Sequence, residues 1–452
     1  MAGTETSPAV EYTAIAASPL VNGEAKLSIN ERGLLIAALF DATELPFIEI
    51  NELRFENYTV SVTADSGSYA FSRMGSWAQP FYDEICGAYN EAVLRSLFIK
   101  GKSLARAKGD YRYTESAGQR SGQAPFAVYE NSVVILPPDL GARRIPLCFM
   151  TGLDKGNFSL TLSLDTQESY TLAKLGYDTD PFEKAVGTQL RSMQEKAILL
   201  AKEIDPSLSA IQSAQIAKLT LEGKAAPLGT LMAIAPSFIE ALEQEIAKTR
   251  AAEYFQAFKE LCDHASMWVG FRKNPAAKDP DEEPEDGLAA LLGGEGGNPL
   301  AAFGGAGGNP LSALGGLVEG SDIAGLIGLD KGDDSEPDPD KYLLFFIVPS
   351  PDGRFATIEF SEADSATFVY QTNGSFTSFA QQLNRALEAI SFKREVIRLS
   401  DEELLHPNNA DYYMAAKRTA SLQFVRGHFV GRAIHANPAS WKQKLLSLWN
   451  SA

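Results

Sequence analysis

The residues of this chain best suited to chemistry are its clustered cations and its few histidines. Toward the C-terminus Lys417, Arg418, Arg426, His428, Arg432 and His435 follow one another at spacings that fit a single helix. On such a helix Lys417, His428 and His435 share one side, while Leu422, Val425, Phe429 and Ala433 share another. A cationic side of this kind offers a site for an anion or an acidic partner. A second group, Lys108, Arg112 and Arg120, falls around what reads as a long loop over residues 109–123, with Arg143 and Arg144 in a later turn. Those five suit a phosphate or an anionic lipid surface.

Other chemistries find little to work with. His428 and His435 are seven apart with no cysteine or carboxylate at ligand spacing, and Cys262-Asp263-His264 stands alone, so no four-ligand zinc site is predicted. The glycine-rich run that includes Gly296-Gly297 does not lead into Lys-Ser/Thr and does not follow a strand of a βαβ unit. It is therefore neither a phosphate loop nor a dinucleotide fingerprint. No Gly-x-Ser-x-Gly elbow occurs. The expectation is a protein without enzymatic activity, without a cofactor and without a metal.

The elements that would position these residues are repeated. Residues 12–18, 25–29, 34–39, 45–50, 53–55, 59–63 and 69–73 read as short strands, separated by turn signals such as Asn22-Gly23 and Asp65-Ser66-Gly67. The period then changes, and Phe81, Ile85, Tyr89, Val93 and Leu97 recur every four residues as one helix face, with Ser76 placed to cap it. About 100 positions later the pattern returns. Leu34-Leu35-Ile36 answers Val133-Val134-Ile135, and Leu45-Pro46-Phe47-Ile48 answers Ile145-Pro146-Leu147-Cys148. Asn57-Tyr58 answers Asn157-Phe158, Met74-Gly75 answers Leu175-Gly176, and Pro80-Phe81 answers Pro181-Phe182. The second helix is predicted to start at Asp180-Pro181, with Phe182, Val186, Leu190, Met193 and Ala197 as its apolar stripe.

Residues 201–274 read as helical, with helices over 211–221, 227–249 and 252–271 broken at Asp205-Pro206, Gly223 and Gly270. Residues 275–340 are rich in glycine and acid and read as a flexible linker, because they hold too little apolar surface to offset the entropy of ordering. Residues 341–452 read as a partial third copy, with strands over 355–360 and 366–370, a helix opened by Phe379, Leu383 and Leu387, and a final helical region over 409–449 interrupted near Asn437-Pro438.

Seven short strands in an antiparallel meander, closed by one amphipathic helix within about 90 residues, resemble the pleckstrin-homology-like barrel. The resemblance covers residues 8–100 and 101–200, and part of it returns at 341–398. It implies an α+β chain of two tandem barrels, each plugged by its C-terminal helix. It also implies the phosphoinositide use of that family, whose basic residues cluster in the first hairpin. Here the hairpin over residues 18–26 carries Lys26 alone, which departs from that pattern.

Charge and cysteine content narrow the partners. The formal net charge is −18, but residues 279–340 hold fifteen acids against one lysine, a balance of −14 that leaves −4 for the rest. The chain thus gives no support for a nucleic-acid footprint. Three well-separated cysteines imply no disulfide framework. No apolar run is long enough to span a membrane and the first ten residues do not resemble a secretory signal, so a cytoplasmic location is expected. The function expected is that of an adaptor binding a protein or peptide, with an anionic-lipid or phosphate binder as the second reading and an enzyme with an unrecognised site as the third.

Overall fold

The computed structural model describes residues 10–248, 251–273, 342–361, 366–435 and 437–451. The stretch read as a linker, 275–340, lies outside the described residues. The chain is α+β, with three antiparallel sheets among the described residues.

In the first sheet β1 (Glu11–Ala17), β2 (Asn22–Ile29), β3 (Gly33–Ala38) and β4 (Ala42–Pro46) run outward on one side of β1. The strands β5 (Ile50–Glu56), β6 (Thr59–Ala64) and β7 (Gly67–Ser72) return on its other side, giving the order β4-β3-β2-β1-β7-β6-β5. Alternation sets the inner face: along β6, Val60, Val62 and Ala64 are buried while Ser61 and Thr63 face water. The helix α1 (Ala78–Ser96) then lays Phe81, Ile85, Tyr89 and Val93, all fully buried, into the sheet.

The second sheet repeats this order. It contains β8 (Ala105–Glu115), β9 (Gly118–Val128), β10 (Ser132–Ile135), β11 (Arg143–Pro146), β12 (Met150–Gly156), β13 (Ser159–Leu164) and β14 (Ser169–Ala173), arranged β11-β10-β9-β8-β14-β13-β12 and curled into a half-barrel. It is followed by α2 (Thr179–Ile204) and α3 (Ala210–Leu219). The duplication reaches the backbone. Short 3-10 turns occupy Phe47–Glu49 and Leu147–Phe149, and the strand after each slips register between Ile50 and Glu52 or between Met150 and Gly152. Each helix is approached through a left-handed residue, Arg73 or Lys174, and a left-handed glycine, Gly75 or Gly176. The 3-10 turns Gly75–Trp77 and Gly176–Asp178 supply the first turn of each helix. Ser76 and Asp180 therefore do not cap, because the cap positions fall on Trp77 and Asp178, neither of which makes a side-chain cap bond.

The third sheet is where the structure departs most from the sequence reading. Its order is β15 (Ala225–Pro227), β16 (Trp268–Lys273), β17 (Tyr342–Pro349), β18 (Phe355–Phe360), β19 (Ala366–Gln371) and β20 (Phe429–Ile434). The strands read at 355–360 and 366–370 are present, the second extending to Gln371, but their partners come from either side in sequence. Along β17, Leu344, Phe346 and Val348 face α4 (Leu228–Ile234), α5 (Pro236–Ala247), α6 (Ala252–Leu261) and α12 (Pro438–Trp449). Phe345 and Ile347 face α7 (Phe376–Ala389), α8 (Glu395–Arg398), α10 (Ala410–Arg418) and α11 (Ala420–Gly427), with the one-turn α9 (Asp401–Leu404) beside them. A strand covered on both faces reads as an unbroken apolar run rather than an alternation.

Two expectations are corrected here. Gly270 does not break a helix; it lies within β16 opposite Phe345, and a Cβ on it would come 2.2 Å from that ring. The final helical region is interrupted earlier than Asn437-Pro438, because Phe429–Ile434 finds a ladder partner in β19 and adds β20 to the sheet edge between α11 and α12. Overpacking at Gly270 should cost about 1–3 kcal/mol. Gly270→Ala should lower the unfolding free energy read from a urea titration by that amount, and Gly270→Ala combined with Phe345→Leu should recover part of it; an unchanged value in the single variant would show that the ring moves freely.

Candidate functional site

Arg143 and Arg144 lead into the most polar part of the interior. Both sit on β11, at the margin of the second sheet, and both are buried. Arg143 Nε lies 2.8 Å from Glu115 Oε1, and its Nη1 donates to the Leu140 and Ala142 carbonyls. Arg144 reaches across to α7, with Nη2 2.6 Å from Glu388 Oε1 and Nη1 donating to the Glu388 carbonyl. From α7, Arg385 returns to Glu168 at 3.2 Å and donates to the Arg144 carbonyl. Tyr170 stands between, its hydroxyl 2.9 Å from both Glu115 and Glu168. Burial first, then those two carboxylates, hold its pKa well above the ordinary phenol, so it stays protonated.

Three buried arginines thus face three glutamates, and the cluster balances. Its chemistry is that of a latch between the second sheet and α7, not of an anion trap. The cavity beside it, about 20 Å³, has room for one water. Arg385 Nη1 and Glu388 Oε2 are 3.7 Å apart and otherwise unpartnered, a separation that suits a bridging water.

The remaining cations disperse. The loop expected over 109–123 is a hairpin: β8 and β9 pair from Ala105↔Val128 to Glu115↔Gly118, because Tyr111, Tyr113, Ala124 and Phe126 alternate into the core. Lys108 and Arg112 point outward from β8, while Arg120 pairs across from Tyr113 and so lies on the opposite face. Lys417, on α10, leaves its neighbours and binds Asp65 of the first sheet at 2.6 Å. His428 ends α11 with Nδ1 2.7 Å from the Phe424 carbonyl and its ring against Phe424 and Phe379. Arg432 is exposed on β20. The structure therefore does not bring Lys417, His428 and His435 together on one side, since a strand and a helix break separate them.

His435 has a site of its own. Its Nε2 lies 3.1 Å from both Glu359 Oε2 and Thr367 Oγ1, Trp441 Nε1 donates to Thr367 at 2.6 Å, and the Tyr254 ring stacks on the imidazole at 3.9 Å. Threonine, histidine and carboxylate suggest nucleophile, base and orienting acid. The geometry is wrong for that work, because both oxygens address the same ring nitrogen and Thr367 donates to Glu359. The arrangement instead pins β20 and α12 onto β18 and β19. The thiols are equally subdued: burial pushes Cys86 up to about 11 and Cys262 up to about 12, and holds buried Cys148 well above the ordinary thiol. Among the described residues no group of three or more His, Cys, Asp or Glu could hold a metal ion, and no helix is long and apolar enough to cross a membrane.

Among the described residues a strand edge remains open. In the first unit β5 ends its sheet, and the loop between β10 and β11 covers it. Leu53 N donates to the Pro138 carbonyl at 2.8 Å, Glu52 bridges to Asp139, and the Tyr89 hydroxyl reaches the Asp139 carbonyl at 3.3 Å. Leu136 and Ala142 of that loop enter the same apolar cluster as Ile50, Leu53 and Tyr89. Met414 and Arg418 of α10 close over Tyr89 as well. In the second unit β12 is the matching strand, and its sheet ends there. Ile50 and Leu53 are fully covered, Leu53 at 1% exposure, whereas their counterparts Met150 and Leu153 are only half-buried.

Sequence reasoning missed Glu115, Glu168, Arg385, Glu388 and Glu359. The signal present was a charge at a position that alternation or helical spacing assigns to a buried face, as for Glu359 within the apolar run of β18. In comparisons with known proteins the chain matches no family model and no curated protein.

Two measurements test these assignments. Breaking a buried pair strands its partner, at about 3–5 kcal/mol. Glu388→Ala should lower the unfolding free energy read from a urea titration by that much and Glu388→Leu with Arg144→Met should restore most of it, whereas a loss no larger than that of Lys26→Ala at the exposed Glu11 pair would remove the latch. Asp65 is pushed up by burial, but hydrogen bonds from Lys417, Asn51 and Tyr413 outweigh that and leave its pKa lowered. A depressed carboxylate stabilises the fold above its unfolded value, near ~4, and that stability fades as pH falls through the native value. The stability difference between the native chain and Asp65→Asn should therefore be full at neutral pH and shrink below about pH 4; a difference independent of pH would show that the pair contributes nothing electrostatically.

Proposed function

We propose that this chain is a non-enzymatic adaptor built on tandem pleckstrin-homology-like units, and that it binds an extended peptide along the free edge of β12. The unit reading is supported by the shared strand order of the first two sheets, the half-barrel curl of the second, and the helix that follows each. The binding reading is carried by one observation: on the matching edge of the first unit, the backbone of Leu53 already donates to the Pro138 carbonyl, and Glu52 forms an isolated antiparallel bridge with Asp139. Main-chain pairing at a sheet edge needs only a strand-like partner, and side chains on either side then set specificity. The register slip at the start of each edge strand is the same, so Leu153 presents its N–H as Leu53 does.

The ionic features of the chain fit a scaffold. Arg143, Arg144, Arg385 and Lys417 are each committed to a carboxylate within the chain, which leaves fewer cations for an anionic ligand than the sequence shows.

A synthetic peptide of the loop sequence Leu-Pro-Pro-Asp-Leu-Gly, with a fluorophore, is the direct probe. Its anisotropy should rise on titration with the intact chain and should not rise with Leu153→Pro, since proline removes the outward N–H of an edge strand without disturbing the inner ladder. Equal binding by both proteins would place the peptide elsewhere, and no binding by either would end the reading.

A further inference from the structure

The contact between the two repeats is heterologous: a loop of the second unit covers a strand edge of the first. Because both units carry both features, each feature occurs once more. The second edge is β12, with Met150 and Leu153 half-buried. The second loop is the β3–β4 connection of the first unit, Leu39-Phe40-Asp41. In the second unit the corresponding loop begins with Leu136, 7% exposed, and buried Pro137. In the first unit Leu39 is 84% exposed and Phe40 95% exposed. An apolar tip projecting from a solvated hairpin is a costly feature for a monomer and a useful one for a contact.

We infer that the occupant of the β12 edge is a second copy of this chain, docking its Leu39-Phe40-Asp41 loop as Leu136–Asp139 docks on β5. The inference rests on the peptide-edge reading above and names its partner. In it, Phe40 covers Met150 and Leu153, and a backbone carbonyl of the loop takes the Leu153 N–H. The half-buried Leu190 of α2, which stands where Tyr89 stands on α1, extends the same apolar strip. The strip also differs from its counterpart: Phe55 stacked on Tyr82 is replaced by Lys155 paired with Asp180 and Glu183. That exchange leaves a wetter rim, as expected of a contact that forms between molecules rather than within one. Loop and edge are different surfaces, so the association is head-to-tail and propagates into rings or open chains.

The test is complementation by sedimentation velocity on the intact chain. Phe40→Asp keeps the edge and loses the loop; Leu153→Pro keeps the loop and loses the edge. The native chain should form species that grow with concentration, and each variant alone should be monomeric. An equimolar mixture of the two variants should give a heterodimer and nothing larger. A native chain that stays monomeric at its solubility limit, a variant that still assembles, or a mixture that stays monomeric would each overturn the inference. If assembly fails while the Leu-Pro-Pro-Asp-Leu-Gly peptide still binds in a Leu153-dependent way, the edge reading stands and the second copy falls. If the peptide also fails, both fall. Far-UV circular dichroism of each variant, matched to the native spectrum, separates lost contact from lost fold.

Discussion

Arg144 and Glu388 come from positions 244 residues apart and meet where neither reaches bulk water. A charge placed there without its partner would cost several kcal/mol, so the pairing admits one arrangement of the second sheet against α7. Glu168 and Arg385 repeat the constraint from the opposite direction, and Tyr170 ties Glu168 to Glu115 and thereby to Arg143. Apolar packing alone tolerates sliding and repacking. A balanced ionic cluster with directional bonds does not, which makes this junction the reference against which the second and third parts of the chain are set.

How strand edges are managed is the other organising theme. The free side of β15 is held by Asn384, which accepts from Ala225 N–H and donates to the Gly223 carbonyl. The free side of β5 is held by the loop carrying Pro138. Each device uses backbone or amide groups that would otherwise be unsatisfied at a covered margin. Among the described residues the margin at β12 has neither, and the repeat shows by comparison what a cover looks like.

The first two units were legible because alternation and a four-residue helical period are local signals, and because a repeat confirms itself. Phe81, Ile85, Tyr89 and Val93 marked their helix and its buried face correctly. The third sheet was not legible for two physical reasons. β17 to β19 are buried on both faces, which erases alternation, and β15, β16 and β20 are short strands embedded among helices, where local propensity is overridden by pairing partners far away in sequence. The cations were misplaced for the same reason. Spacing can align Lys417, His428 and His435 only if the backbone between them is one helix, and the turn to β20 at Phe429 defeats that. Arg143 and Arg144 read as surface charges because the sequence around them carries no trace of Glu388.

Lys273 and Tyr342 face each other across β16 and β17, so the ladder holds two positions 69 apart in sequence side by side. Lengthening a loop whose ends are already held together adds little entropy, about 0.6 kcal/mol for each doubling. The junction of β16 and β17 therefore sets no narrow limit on the length of chain between them. It is also the natural seam of the molecule, where the chain could be opened and its ends rejoined elsewhere to give a permuted order of the same strands.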